Sequence, residues 1–145
     1  MSHKASLFSS AKAEITEIHA FFVHWFTESS AEPQEFKRLE ESFDAEFAMV
    51  TPDGQLHARA EVLWRLRKAK ASMEKKFAIH VEDITLLWHD GDAVLVGYVE
   101  AQTIGERHTR RRSTALLEKR DSTPNGVTWR HLHETWIEVT DGAKG

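Results

Sequence analysis

The stretch Trp129-Arg130-His131-Leu132-His133-Glu134-Thr135-Trp136 decides how this chain folds. In an extended chain, residues two apart share a face. His131, His133 and Thr135 therefore form one side, and Arg130, Leu132, Glu134 and Trp136 the other. Both sides mix polar with apolar or aromatic groups, so neither is plainly the dry one. The stretch belongs to a strand over 127–140, and Thr123-Pro124-Asn125-Gly126 before it is a strong turn signal. That turn joins it to a second strand over 107–119. One hairpin upstream, 77–88 and 93–103 flank His89-Asp90-Gly91-Asp92, with a glycine for the positive φ of a tight turn. In the first of these strands the apolar parity changes. Ile79 and Val81 are odd, whereas Ile84, Leu86 and Trp88 are even, which predicts a bulge near Glu82-Asp83.

Upstream of the four long strands the pattern is helical. Ala11, Ile15, Ile18, Phe22, Trp25 and Phe26 fall within one stripe of a first helix, with Glu17, His24 and Glu28 outside it and Ser9 or Ser10 as its N-cap. Pro33 suits the first turn of a second, short helix that turns Phe36 and Leu39 inward. Residues 43–50 alternate, with 43, 45, 47 and 49 apolar and Asp44 and Glu46 acidic, the pattern of a strand with one buried face. Thr51-Pro52-Asp53-Gly54 is a turn, and 55–58 a short return strand. A third helix places Val62, Leu66, Ala69 and Met73 on one face, with Arg65, Arg67, Lys68 and Lys70 outside and no good cap at its start. Trp64 lies off that apolar stripe, which points it toward a partner or a lid. The expectation is an α+β fold, one domain over 1–145 with a loose tail at 141–145. In it a curved antiparallel sheet packs on a long N-terminal helix and a shorter one. Two substantial helices cover only one face of such a sheet, so the other meets solvent or a second subunit.

Composition narrows function by exclusion. The chain has 145 residues, 41% apolar and 29% charged, which is ordinary for a globular domain. It has no cysteine, so disulfides, thiolate chemistry and cysteine-based metal sites are out. A net charge of −4 with nine neutral histidines argues against nucleic-acid binding. The N-terminus lacks the apolar run of a signal peptide, and no stretch approaches a membrane span, so a cytoplasmic location is expected and no membrane contact. Gly-rich phosphate loops, zinc-protease helices, nucleophile elbows and EF-hand loops are absent, and no cofactor is expected.

The element order, with helix 1 running into Phe43-Asp44-Ala45-Glu46-Phe47, resembles the nuclear transport factor two-like superfamily. This is the cystatin-like, cone-shaped fold shared by steroid isomerases and SnoaL-like polyketide-cyclase proteins. Met49-Val50-Thr51-Pro52-Asp53-Gly54 ahead of helix 3 and Trp129-Arg130-His131-Leu132-His133 on the last strand carry the same resemblance. The chain is most similar to small bacterial domains of unknown function in that group, relatives of the association domain of calmodulin-dependent kinase. The resemblance implies a pocket between helix 1 and the curled sheet, and a homodimer through the open sheet face. It also exposes departures. The steroid isomerases keep a catalytic aspartate where this chain has Thr51, and a tyrosine in helix 1, which here has none; Tyr98 is the sole tyrosine. A threonine is no general base near neutral pH, so steroid-isomerase chemistry is not expected.

Several constellations admit two readings. His131 and His133 could hold a metal with a third ligand from His108 or Glu100, or they could hydrogen-bond within a half-polar pocket wall; the second is expected, and no metal. Glu134 beside Trp136 is either a carboxylate in an apolar wall with a raised pKa or the partner of an arginine across the hairpin. In the run Arg107-His108-Thr109-Arg110-Arg111-Arg112, the arginines either charge a strand end or send Arg112 to the pocket mouth, where the resemblance also favours an arginine before Thr114. The leading expectation is a small-molecule-binding domain. Phe22, Trp25, Phe26 and Tyr98 are its apolar wall, Arg112, His131, His133 and Thr135 its polar contacts, and its ligand bears an acidic or carbonyl group. The alternatives are a cofactor-independent isomerase, cyclase or dehydratase, and a dimerisation module.

Overall fold

A computed structural model describes residues 2–74 and 76–141. The chain runs α1 (His3–Thr27), a 3-10 turn (Pro33–Phe36), α2 (Lys37–Ser42), β1 (Phe43–Val50), β2 (Leu56–Ala58), α3 (Arg59–Lys68), then β3 (Ala78–Asp90), β4 (Ala93–Ile104), β5 (Arg107–Lys119) and β6 (Val127–Asp141). Of the loose tail expected at 141–145, Asp141 ends β6, and 142–145 lie outside the described residues.

The strands stand in the order β2-β1-β6-β5-β4-β3. All pairings are antiparallel except β1 with β6, which is parallel because the helical segment α3 and the two hairpins intervene between them. The expected bulge is present. Pairing of β3 with β4 slips between Glu82 and Thr85, and Asp83 takes φ 56°. A second slip, between Leu86 and Trp88, turns Trp88 to the opposite face from Leu86. In β6, Trp129 pairs with Leu117 and His131 with Leu116, leaving Arg130 as an extra residue. Parity reverses there, so Trp129 and Leu132 face the same side.

Helix α1 lies across the inner face of the curled sheet. It begins two turns earlier than the serines at 9 and 10 predict, because the Ser2 hydroxyl accepts from the Ala5 N–H at 3.1 Å. Helix α3 is shorter than its apolar spacing predicts and ends at Lys68. The following residues leave the helix to bond α1: the Ala71 N–H donates to the Trp25 carbonyl at 2.9 Å, and the Met73 N–H to that of Phe26 at 2.8 Å. Ala71 takes φ 54° to do so. As the sequence predicts, the start of α3 has no side-chain cap.

The core sits between α1, α3 and the inner sheet face, where Ile15, Ile18, Phe36, Leu39, Phe47, Val94, Val96, Leu117 and Trp129 are buried. Each large side chain there contributes about 1.5–3 kcal/mol by leaving water. Two buried acids tie the layers together. Glu14 accepts from Arg38 at 2.8 and 3.1 Å, from Asn125 at 3.0 Å and from the Trp129 indole at 2.8 Å. Asp44, expected to face outward by alternation, is instead buried, while Ala45 is exposed, because β1 is irregular between Phe43 and Ala48. Asp44 accepts from the Glu46 N–H at 2.9 Å and from Arg120 at 2.6 Å. Burial opposes its charge, but these donors outweigh burial and lower its pKa.

Candidate functional site

Between α1, α3 and the curl of the sheet lies a cavity of about 210 Å3. One end is apolar and aromatic: Phe22 and Phe26 from α1, Phe43 and Phe47 from β1, Leu66 from α3 and Trp129 from β6. Phe22 stacks on Phe26 and Phe43 on Phe47, with centroids 5.7 and 4.5 Å apart. The other end holds His19, Tyr98, Glu100, Gln102, Arg111 and Glu134. Three neighbouring strands build this polar end, since Tyr98 pairs with Ser113 and Ser113 with Glu134, while Glu100 pairs with Arg111 in the adjoining row.

His19 and Glu100 form a buried pair. The His19 Nδ1 lies 2.6 Å from the Ile15 carbonyl and its Nε2 lies 3.0 Å from Glu100 Oε1. Both ring nitrogens face acceptors, and only the imidazolium can donate to both. Burial works against this charge, yet the hydrogen bond to Glu100 and its carboxylate charge prevail, so the His19 pKa is raised. Burial likewise opposes ionisation of Glu100, but His19 and Arg111 bring its pKa down to about 2. The Gln102 amide also donates to Glu100.

Glu134 behaves in the opposite way. Its Oε2 accepts from the Ser113 hydroxyl at 2.9 Å and its Oε1 from Arg111 at 3.2 Å. Burial and the nearby Glu100 charge outweigh both bonds and raise its pKa. The two readings of Glu134 are thus not exclusive: it faces an arginine across the hairpin, and it is still an acid held in a low-dielectric wall. The Arg111 guanidinium rests over the Trp136 ring at 4.7 Å.

Among the described residues, two buried donors at this end make no hydrogen bond: the Tyr98 hydroxyl and the Arg111 Nε. Ser113 lies beside Tyr98 across the strands, where it gives its proton to Glu134 and lightly opposes the rise of the phenol's pKa. Burial, with Glu134 and Glu100 close by, drives the Tyr98 pKa well up, so the phenol keeps its proton.

The residues expected at the site divide between the two faces of the sheet. Phe22, Phe26 and Tyr98 line the cavity. Trp25 is buried behind it, stacked on Phe21 and donating from its indole to the Leu66 carbonyl at 2.9 Å. Arg112, His131, His133 and Thr135 come together on the outer face, where Arg112 pairs with Thr135 and Thr114 with His133. The extra residue at Arg130 sends the histidines outward and Leu132 and Glu134 inward, and Arg111, not Arg112, enters the cavity. Glu100 lies on the inner face and cannot join the histidine pair, whose rings are 6.5 Å apart. Among the described residues, no three histidine or acidic side chains gather in a metal-binding group.

Of the cavity residues that sequence reading missed, among them Gln102, Phe43 and Phe47, His19 is, beside Arg111, the one that carries charge. A signal was present: position 19 falls four after Ile15 and three before Phe22, inside the apolar stripe. A polar group in such a stripe is the informative exception.

Residues 11–138 match the family described as sucrose-6-phosphate phosphohydrolase C-terminal. The chain belongs to that family. No curated protein sequence matches it. Solved structures of nuclear transport factor two-like and cystatin-like proteins share its fold. An NTF-2-like protein of unknown function from Pseudomonas aeruginosa superposes with a TM-score of 0.80 at 24% identity, over 89% of this chain and 99% of that one. The CaMKII hub of S. rosetta gives 0.64 at 11% identity, over 92% and 95%. A putative ketosteroid isomerase from Shewanella frigidimarina gives 0.64 at 14%, over 87% and 94%. These likenesses establish a fold that hosts isomerase-like and association domains alike.

Proposed function

We propose that this family member binds a small, largely apolar molecule bearing an acidic or carbonyl group, in the cavity between α1 and the curled sheet. The observation that carries the proposal is the pair of buried, unpartnered donors, the Tyr98 hydroxyl and the Arg111 Nε, at the edge of an aromatic cavity. A buried donor without an acceptor costs about 1–3 kcal/mol, and a ligand oxygen removes that cost. The family description names a sucrose-6-phosphate phosphohydrolase, but a sugar phosphate suits these walls poorly. Phe22, Phe26, Phe43, Phe47 and Trp129 offer its hydroxyls nothing, and one open guanidinium Nε is little for a doubly charged phosphate. The test is native mass spectrometry of the purified chain, followed by thermal-shift screening of aromatic acids and ketones. Binding that Tyr98→Phe weakens supports the reading; a cavity that stays indifferent to every probe refutes it.

Glu134 favours a second reading, an isomerase, cyclase or dehydratase in which this raised acid moves the proton. It would require turnover with a pH profile that changes on Glu134→Gln.

We also propose that the chain dimerises through its outer sheet face. Registers lay Leu56, Val50, His133 and Thr114 in one row across that face, and Ala48, His131, Leu116, Leu95 and Trp88 in the next. Trp88 is 50% exposed and Leu56 69%. Exposed Leu56, Leu87 and Trp88 at the ends of these rows are costly to leave in water, and a second copy would cover them.

A further inference from the structure

Resting on the binding reading above, we infer that the cavity takes a small aromatic carboxylate, received by the Tyr98 hydroxyl and the Arg111 guanidinium, and that each molecule enters together with one proton from solvent that settles on Glu134.

The argument begins with charge. Four ionisable side chains with opposed charges meet at the polar end: His19 and Glu100 as one pair, Arg111 and Glu134 as the other. The first pair is self-sufficient. Glu100 accepts from His19 and from Gln102, and His19 spends its other nitrogen on the Ile15 carbonyl. The second pair is incomplete. Glu134 takes one contact from Arg111, at 3.2 Å, and the guanidinium Nε is left without an acceptor. A guanidinium pairs most favourably with the two coplanar oxygens of a carboxylate. A second such group can reach Nε from the cavity side, with the phenol of Tyr98 as an additional donor.

A ligand carboxylate would bring a third negative charge into walls built of phenylalanine and tryptophan. Glu100, held by the His19 imidazolium, has every reason to stay ionised. Glu134 has the least: it faces Glu100 from β4, shares Arg111 with the incoming anion, and otherwise has only the Ser113 hydroxyl beside it, with His19 across the cavity on α1. A second carboxylate beside a single guanidinium disfavours the charge on the first, and Glu134, already pressed by Glu100, is the one that takes the proton. No bond is made or broken apart from the proton's capture. A neutral carbonyl ligand would satisfy the same donors without moving a proton, which separates the two ligand classes.

Titration calorimetry of the full chain decides the point, using phenylacetate and its uncharged analogue phenylacetamide between pH 5.5 and 8.5 in buffers of different ionisation enthalpy. Phenylacetate is expected to bind with uptake of about one proton, its affinity falling by up to about tenfold per pH unit as Glu134 ionises in the free protein. Phenylacetamide is expected to bind more weakly and without pH dependence. In Glu134→Gln the uptake disappears and the phenylacetate profile flattens; should that variant not fold, the proton count in the wild-type chain decides alone. Phenylacetamide binding as tightly as phenylacetate, or phenylacetate binding without proton uptake, overturns this inference and leaves the cavity's binding role standing. Failure of both probes overturns the inference and the binding reading together.

Discussion

Glu14 and His19 stand five residues apart on α1, and each turns a charge into the protein interior. Glu14 is fully buried and accepts from three separate segments, so its loss strands the Trp129 indole and leaves the Arg38 guanidinium with only the Ser42 hydroxyl. Glu14→Ala is expected to lower unfolding free energy by about 3–5 kcal/mol, measured by urea denaturation. The His19–Glu100 pair makes a pH prediction. The pKa of Glu100 falls to about 2 on folding, so its contribution holds above the ordinary glutamate range and fades as pH drops through it toward 2. His19 has a raised pKa, so its contribution is complete below about 6.5 and is lost as pH climbs past the folded value. The stability gap between wild type and His19→Gln should therefore be widest near pH 5–6 and narrow on both sides, as denaturation at several pH values would reveal. Glu134 has the opposite effect on the alkaline side. Its raised pKa means that the native state loses stability as pH rises above the ordinary glutamate value, so Glu134→Gln should unfold at a higher temperature than wild type at pH 8. Neither Glu14 nor His19 stands out in the sequence by type. Both are visible only as polar interruptions of an apolar stripe, and their partners Arg38, Trp129 and Glu100 lie 24, 115 and 81 residues away.

The elements themselves were largely readable. Helix α1, the strand-turn-strand around Thr51, both hairpins and the bulge at Glu82-Asp83 follow from periodicity and turn chemistry, which act over a few residues. What did not follow was the facing of β6. Alternation survives on either side of Arg130, but the extra residue there exchanges the two faces, and mixed composition on both sides left no clue to it. The same blindness applies to α3, whose apolar spacing continues past Lys68 although the backbone turns off to bond Trp25 and Phe26. That departure leaves Ala71 at φ 54°, a conformation that costs a non-glycine residue roughly 1–2 kcal/mol. Ala71→Gly should then raise stability by about 0.5–1 kcal/mol once the glycine's extra unfolded-state freedom is subtracted. A chemical-denaturation midpoint that falls instead would mean that the 69–73 segment is not held as described.

For the molecule as a whole, the sheet separates two surfaces with different tasks: an inner one closed by α1 and an outer one carrying Leu87, Trp88, Leu95 and Leu116. If the outer surface pairs two copies, Trp88→Glu should yield monomers in sedimentation velocity at concentrations where the wild type is dimeric, with ligand binding in the cavity retained. Monomers from the wild type at every concentration would count against the dimer. Two positions in β6, Arg130 and Ile137, have no partner on β5, and the first assigns the side chains after it to these surfaces. That slip works like a gear change: under unbroken alternation from Trp129, His131 and His133 would face the cavity and Glu134 would leave it. The acid lining of the chamber is thus set by one pairing slip and not by the choice of any side chain.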